Sequence, residues 1–527
     1  MKTRIFFFIA FISVFMSARA AVADYDVVPR PQDVTAVPGE PFLLSSSTVV
    51  VCPEAEPSMQ RNVEFLIDYV KETTGITLHR AERAKSNAVV LLIDPKVEGD
   101  EGYEISVTSR LVTVKACTAR GAFYAVQTLR KSLPVEQAAE VQFPAVSIKD
   151  KPRFGYRGLM LDCGRHFFPL SFIKRYIDLI AMHNMNVFHW HLTEDQGWRI
   201  EIRKYPLLTQ IGSMRAQTAT GYNYYVYDGV PHGGFYTQEE AREIVRYAAE
   251  RHITVVPEID MPGHMLAALA AYPGLSCTGG PFKVAEKWGI FPDVLCLGNK
   301  KVYEFCENVL AEIMEIFPSE LIHLGGDEAP RVRWEECPKC QALAREQQLT
   351  TDHLQSHFTN AIEKFVNSHG RRIVGWDEIL EGPINKSAVI MSWRGIEPGV
   401  KAANLGHDVI MTPATHVYIN QYQTETMGDG PLLAGGYIPL ERVYELEPVP
   451  QEIEENSRSH IIGVQANLWT EMVAYPNVAE YQVLPRMAAL AEVQWSEQPK
   501  DYAFFRQRLK HLTTLYDLYH YNYYRLP

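Results

Sequence analysis

Four features are scarce in this 527-residue chain, and each scarcity removes a class of explanation. No block of lysine and arginine with interleaved aromatics occurs, and acids outnumber bases 63 to 51, which argues against nucleic acid as a partner. Beyond the first 16 residues no apolar run approaches the ~20 residues that a membrane-spanning helix needs. Cysteine is sparse, with eight residues (Cys52, Cys117, Cys163, Cys277, Cys296, Cys306, Cys337 and Cys340) in a chain that is 46% hydrophobic. So few cysteines decorate a core and do not replace one. Cys337-Pro-Lys-Cys340 forms half of a zinc or redox motif, but no second C-x-x-C or His pair stands at ligand spacing, so a local disulfide or unpaired thiols are expected there. No Gly-x-Gly-x-x-Gly turn follows any candidate strand, which leaves a dinucleotide site without support.

What is present begins with an export signal. Lys2 and Arg4 precede the apolar stretch Ile5 to Met16, and Ala18-Arg19-Ala20 then offers a small-residue cleavage site. Residues 1–23 are therefore expected to be removed, leaving an exported protein, periplasmic or secreted, with no membrane span. Residues 24–150 mix β-rich runs (Ser47 to Val51, Ala88 to Ile93, Gly102 to Val107, Leu111 to Lys115) with helical ones (Met59 to Thr73, Ala119 to Ser132), the pattern of a small α+β domain. The Pro-bearing stretch Phe143 to Pro152 is expected to be its boundary.

From Tyr156 onward, short apolar runs alternate with amphipathic helices, the signature of a parallel sheet covered by helices. Eight strand candidates can be counted: Leu159 to Cys163, Asn186 to Leu192, Ile253 to Ile259, Leu321 to Gly325, Ile373 to Trp376, Ala388 to Trp393, Asp408 to Pro413 and Ile461 to Leu468. Eight strands over residues 151–500 predict a (β/α)8 barrel, an α/β fold, against the rival of a doubly wound open sheet. Residues 501–527 are expected to form a helical extension packed on the barrel. Polar and aromatic residues stand at every predicted carboxyl end, where barrels of this kind gather their chemistry. Tryptophans, acids and an arginine at one rim suit a sugar: aromatic faces cover pyranose C–H surface, and charged groups bind hydroxyls.

The run His323-Leu-Gly-Gly-Asp-Glu328 ends the fourth strand in two adjacent carboxylates behind two glycines. Neighbours on a regular strand point to opposite faces, so Asp327 and Glu328 can serve one ligand only where the chain leaves the strand, and the glycines permit that departure. Carboxylates this close disfavour each other's ionisation, so one tends to keep its proton and can act as a general acid. The alternative is that Asp327 caps a helix starting near Ala329 and Pro330, with Glu328 at its positive end.

Tyr156-Arg-Gly-Leu-Met-Leu-Asp-Cys-Gly-Arg-His-Phe167, Asn186-Val-Phe-His-Trp-His-Leu-Thr-Glu-Asp-Gln-Gly-Trp198, Pro257-Glu-Ile-Asp-Met-Pro-Gly-His264, His323-Leu-Gly-Gly-Asp-Glu328 and Leu468-Trp-Thr-Glu471 together resemble glycoside hydrolase family 20, the β-N-acetylhexosaminidases. The resemblance implies exo-hydrolysis of terminal N-acetylglucosamine or N-acetylgalactosamine from an oligosaccharide or glycan, with retention and without metal or cofactor. The substrate's own acetamido oxygen would be the nucleophile, the exception to two-carboxylate hydrolysis. It further implies Glu328 as acid/base, Asp327 holding the acetamide N–H, and Tyr418 donating to the acetamido oxygen. Trp376, Trp393 and Trp469 would wall the pocket, Arg165, Glu471 and Asn420 would meet hydroxyls, and His264 would support Glu328. The family often has Asp where this chain has Glu194, the partner of that histidine, and the extra methylene is expected to shift the network. Cys277 and Cys296 flank a Gly/Pro-containing stretch that a disulfide would tie, and His189 with His191 reads as strand alternation and not as a ligand pair. Two rivals stay open: a barrel glycosidase with Glu378 or Glu471 as nucleophile, and a glycan-binding protein that has lost activity.

Overall fold

The structure is a computed structural model that describes residues 21–222, 225–425 and 430–526. The apolar leader, up to residue 20, lies outside the described residues. Among the described residues no helix is long and apolar enough to cross a membrane. The N-terminal domain is a seven-stranded sheet in the order Asp33–Ala36, Val146–Asp150, Tyr103–Val107, Leu111–Ala116, Ala88–Ile93, Val49–Val51, His79–Ala81. Helices Pro57–Thr74 and Ala119–Ser132 pack against each other, the second also against that sheet. The stretch expected to be a boundary carries the sheet strand Val146–Asp150, paired on both sides. Its prolines, Pro144 and Pro152, stand outside the strand, where a missing N–H breaks no ladder bond.

The eight predicted strands are all present, and they close. They run β1 (Tyr156–Asp162), β2 (Val187–His191), β3 (Thr254–Glu258), β4 (Leu321–His323), β5 (Arg372–Trp376), β6 (Val389–Ser392), β7 (Val409–Met411) and β8 (Ile461–Leu468). Every pairing is parallel, and β8 returns to β1, with Tyr156 opposite Gly463 and Leu161 opposite Leu468. That closure removes the open-sheet rival. The regular alternation breaks once, where the 3₁₀ segment Asp377–Glu381 joins β5 to β6 in place of a helix. The break keeps Asp377 and Glu378 directly at the end of β5.

A buried polar seam joins the two domains. Arg157, wholly buried on β1, donates from Nη1 to Glu101 Oε2 at 2.6 Å and from Nη2 to the Tyr124 hydroxyl at 2.8 Å. Lys131 donates to Met182 O and Asn184 Oδ1 of the barrel, and burial pushes its ammonium down to about 7. The C-terminal helix Tyr502–Leu518 starts on an Asp501 cap. It touches the barrel through the Tyr516 hydroxyl and His183 Nε2, 2.6 Å apart, and reaches the N-terminal segment through Arg508 Nη1 to Val27 O.

Candidate active site

The site forms where β4 ends. Gly325 and Gly326 have φ of +65° and +94°, and a Cβ on Gly325 would stand 1.8 Å from Asp260 Oδ1, so only glycine fits there. The chain turns again at Glu328, whose φ of +46° is left-handed for a side chain that gains nothing locally from it. Helix Val332–Glu336 follows with Arg331 at its N-cap and no side-chain cap, so Asp327 is not a helix cap. The strained turn brings both acids to one imidazole. His264 Nε2 is 3.6 Å from Asp327 Oδ2 and 3.6 Å from Glu328 Oε2.

The two carboxylates sit in unlike surroundings. Burial raises the Asp327 carboxyl above its ordinary range despite the opposing His264, with Glu258, Glu194 and finally Glu328 adding to the rise. The Glu328 side chain is 35% exposed and faces the mouth. Adjacent charge is thus a lesser cause at Asp327 than burial, a distinction that adjacency in sequence does not express.

Behind His264 runs a chain of alternating imidazoles and carboxylates. Its Nδ1 is 3.0 Å from Glu194 Oε2 and 3.3 Å from Asp195 Oδ2. Glu194 Oε1 meets Arg165 Nη2 at 2.7 Å and His191 Nε2 at 3.4 Å. His191 Nδ1 in turn lies 2.5 Å from Glu258 Oε2. Glu258, on β3, also meets His189 Nε2 at 2.9 Å, His323 Nδ1 at 3.1 Å and the Trp376 indole N–H at 2.9 Å. Burial opposes charge on His264, but Glu194 and Asp327 win, so its pKa stands well above the usual imidazole value. Glu194 is held well below the carboxylate range against burial by Arg165 and His264. Glu194, where the resemblance leads one to expect Asp, keeps its contact to His264.

Aromatic rings build the walls. Trp376 and Trp469 have ring centroids 5.8 Å apart, Trp469 and Tyr418 6.2 Å, and Tyr418 stacks on Trp393 at 5.8 Å with planes 13° apart. Tyr418 follows β7 and bridges to Asn467 of β8, while Asn420, two residues on, is 9% exposed. Burial, then the Asp327 charge, push the Tyr418 phenol well up, so it remains a donor. Arg165 lies 4.8 Å above the Trp469 ring. Burial, against the pull of Arg165, raises the Glu471 carboxyl, and its Oε2 is buried.

All eleven residues expected at the site thus stand around the carboxyl ends of the barrel strands. The buried partners Glu258, His191, His189, Asp260 and Asp195 were not expected as a network. Alternation on β2 was visible, since His189 and His191 share a face, but the acid they share comes from β3. Asp260, packed against Gly326 N–H at 3.2 Å, is raised well above the carboxylate range by burial and by Asp327. The four thiols Cys277, Cys296, Cys337 and Cys340 are free, and the expected pair Cys277 and Cys296 is not a separate bridge but part of a four-sulfur group. The loops after β3 and β4 bring them together, a proximity that spacing along one loop does not reveal.

Residues 154–498 match the model of the glycosyl hydrolase family 20 catalytic domain, and residues 24–151 match that family's domain 2. The chain belongs to glycosyl hydrolase family 20. It is 42% identical over 518 residues to a beta-hexosaminidase of Porphyromonas gingivalis, covering 95% of this chain and 65% of that relative, so it spans slightly under two thirds of the longer protein. A Vibrio furnissii beta-hexosaminidase is 37% identical, covering 89% of this chain and 76% of its own. Among solved structures, the exo beta-N-acetylglucosaminidase of Vibrio harveyi in complex with N-acetylglucosamine superposes with a TM-score of 0.84 at 31% identity, covering 96% of this chain and 80% of that one. In this family 20 chain an exposed acid, a buried acid and a charged imidazole stand beside an aromatic box. That arrangement can pass a proton at Glu328 while a second carboxylate meets growing positive charge.

Proposed function

We propose that the chain is an exo-acting β-N-acetylhexosaminidase that removes terminal N-acetylglucosamine or N-acetylgalactosamine with retention. Glu328 gives its proton to the glycosidic oxygen as the C–O bond breaks, and the acetamido oxygen of the substrate closes on the anomeric carbon. Asp327 accepts from the acetamide N–H and offsets the charge of the oxazolinium ion, while the Tyr418 hydroxyl donates to the attacking oxygen. Water then opens the ring and returns its proton to Glu328. Trp376, Trp393 and Trp469 wall the acetamide pocket, and Arg165, Glu471 and Asn420 face the sugar hydroxyls. The protein acts after export, as the leader suggests, on N-acetylhexosamine-bearing oligosaccharides or glycans.

The observation that carries this reading is the single imidazole, His264, 3.6 Å from both Asp327 and Glu328 at the mouth of the box. For Glu378 the rival with a protein nucleophile is disfavoured by protonation: its carboxyl is pushed up to about 8, and a neutral carboxyl is a poor nucleophile. Hydrolysis of a chromogenic β-N-acetylglucosaminide beside the matched β-glucoside tests the proposal. Only the acetamido sugar is expected to be cleaved, with Glu328→Gln and Asp327→Asn each losing about 10²–10⁴-fold in kcat/KM. Cleavage of both sugars, or variants as active as the parent, would overturn it.

A further inference from the structure

Four of the eight cysteines meet outside the active site. Cys277 and Cys296 lie in the long segment after β3, Cys337 and Cys340 in the segment after β4. Cys296 Sγ is 3.7 Å from Cys337 Sγ and 3.8 Å from Cys340 Sγ, and Cys340 Sγ is also 3.8 Å from Cys277 Sγ. All four sulfurs fall within 4.8 Å of one another. A tetrahedron with metal–sulfur bonds of about 2.3 Å has sulfur–sulfur edges of about 3.8 Å. Two disulfides would give each sulfur a single near partner, whereas Cys296 and Cys340 each have two.

We propose that Cys277, Cys296, Cys337 and Cys340 bind one Zn²⁺ as a structural tetrathiolate site. An all-sulfur donor set selects a borderline-soft cation over Mg²⁺ or Ca²⁺, and four protein ligands leave no position for substrate. Three of the four residues are buried. On binding, each thiol still protonated gives up its proton to solvent; no electron moves and no sulfur is oxidised. The surroundings are shaped for the purpose. The Gly298 N–H donates to Cys340 Sγ at 3.4 Å, the kind of bond that steadies a thiolate. A Cβ at Gly298 would lie 2.1 Å from the Lys339 carbonyl carbon, so only glycine lets its backbone reach the Cys337-to-Cys340 turn.

The site has a mechanical consequence for the chemistry next door. Leu295, beside Cys296, donates its N–H to Pro262 O at 3.1 Å, two residues before His264. Its own carbonyl accepts from the Trp334 indole N–H at 2.9 Å, in the helix that follows the Asp327–Glu328 turn. Zinc would therefore clamp the loop bearing His264 to the loop bearing the two acids. In an oxidising compartment it would also keep the four thiols from mispairing.

The test uses the full chain purified without a metal-chelating tag, with zinc and iron determined by elemental mass spectrometry and disulfides by intact mass. One zinc per chain is expected, lost in Cys340→Ser and kept in Cys52→Ser, with a lower melting temperature for the former. Should Cys340→Ser fail to fold, Co²⁺ exchanged into the parent protein is expected to give the sulfur-to-cobalt charge-transfer bands of a tetrahedral tetrathiolate. A parent protein without zinc, one equivalent of iron in its place, disulfide masses across these cysteines, or Co²⁺ without those bands would each overturn the proposal. None of these readouts depends on hydrolytic activity, so the outcome is separate from that of the glycoside assay.

Discussion

Glu378 sits at the end of β5 with its Oε2 on the Trp393 indole N–H at 2.8 Å. Burial, then the nearby Asp327, push its carboxyl up to about 8. It is one of several acids at the strand ends that look equivalent in sequence, and environment divides them: Arg165 and His264 hold the Glu194 carboxyl low, whereas burial and Asp327 raise that of Asp260. Because Glu378 binds its proton more tightly when folded than when unfolded, the folded state carries the extra proton between the ordinary glutamate range and about 8, and stability falls as pH rises through that window. Glu378→Gln removes this slope. The melting temperature of the variant relative to the parent is expected to rise from pH 5 to pH 8, while kcat on the acetamido substrate changes less than about tenfold, since a neutral amide keeps the oxygen acceptor. Equal slopes in parent and variant would show that Glu378 is ionised when folded.

Among elements, the described parts of the segment from residue 216 to 234 are expected to set what the pocket meets beyond its first sugar. It is anchored at its base by Arg215, whose Nη1 donates to Arg165 O at 2.7 Å. At its far side the Tyr222 hydroxyl donates to Leu433 O at 2.7 Å in the segment after β7. Three residues past that second tie, Tyr225 is 83% exposed, with the Lys287 ammonium 5.7 Å from its ring centroid. An exposed aromatic ring on such a segment can stack on a sugar bound beyond the first pocket. Tyr225→Ala is expected to raise KM several-fold for a trisaccharide or longer substrate and to leave the chromogenic monosaccharide glycoside unchanged, as steady-state kinetics on the two substrates would measure. A matching rise for both would place the effect in the first pocket.

The whole molecule depends on the seam between its domains, where the Arg157–Glu101 pair is buried from both sides. Removing one partner of a buried pair leaves the other charge uncompensated, at a cost of about 3–5 kcal/mol. Arg157→Met is therefore expected to lower the midpoint of chemical unfolding markedly, with kcat of the surviving folded enzyme near that of the parent. A midpoint within error of the parent would mean that water reaches the seam.

The scales differ in how much the chain alone decides. Eight strands and the acids at their ends were legible because they rest on local order: short apolar runs ended by polar residues, and a Gly-Gly step that lets Asp327 and Glu328 leave the strand together. Ring placement was legible for the same reason, since Trp376, Trp393 and Trp469 each end or follow a strand. The tertiary structure alone decided which side chains come together. Glu258 joins histidines from β2 and β4, His264 meets Glu194 across β2 and β3, and the half-motif Cys337–Cys340 finds its other half in the neighbouring loop. Those partners are set by strand register and loop closure, which bring residues tens of positions apart within 4 Å, and no periodicity along the chain encodes such distances.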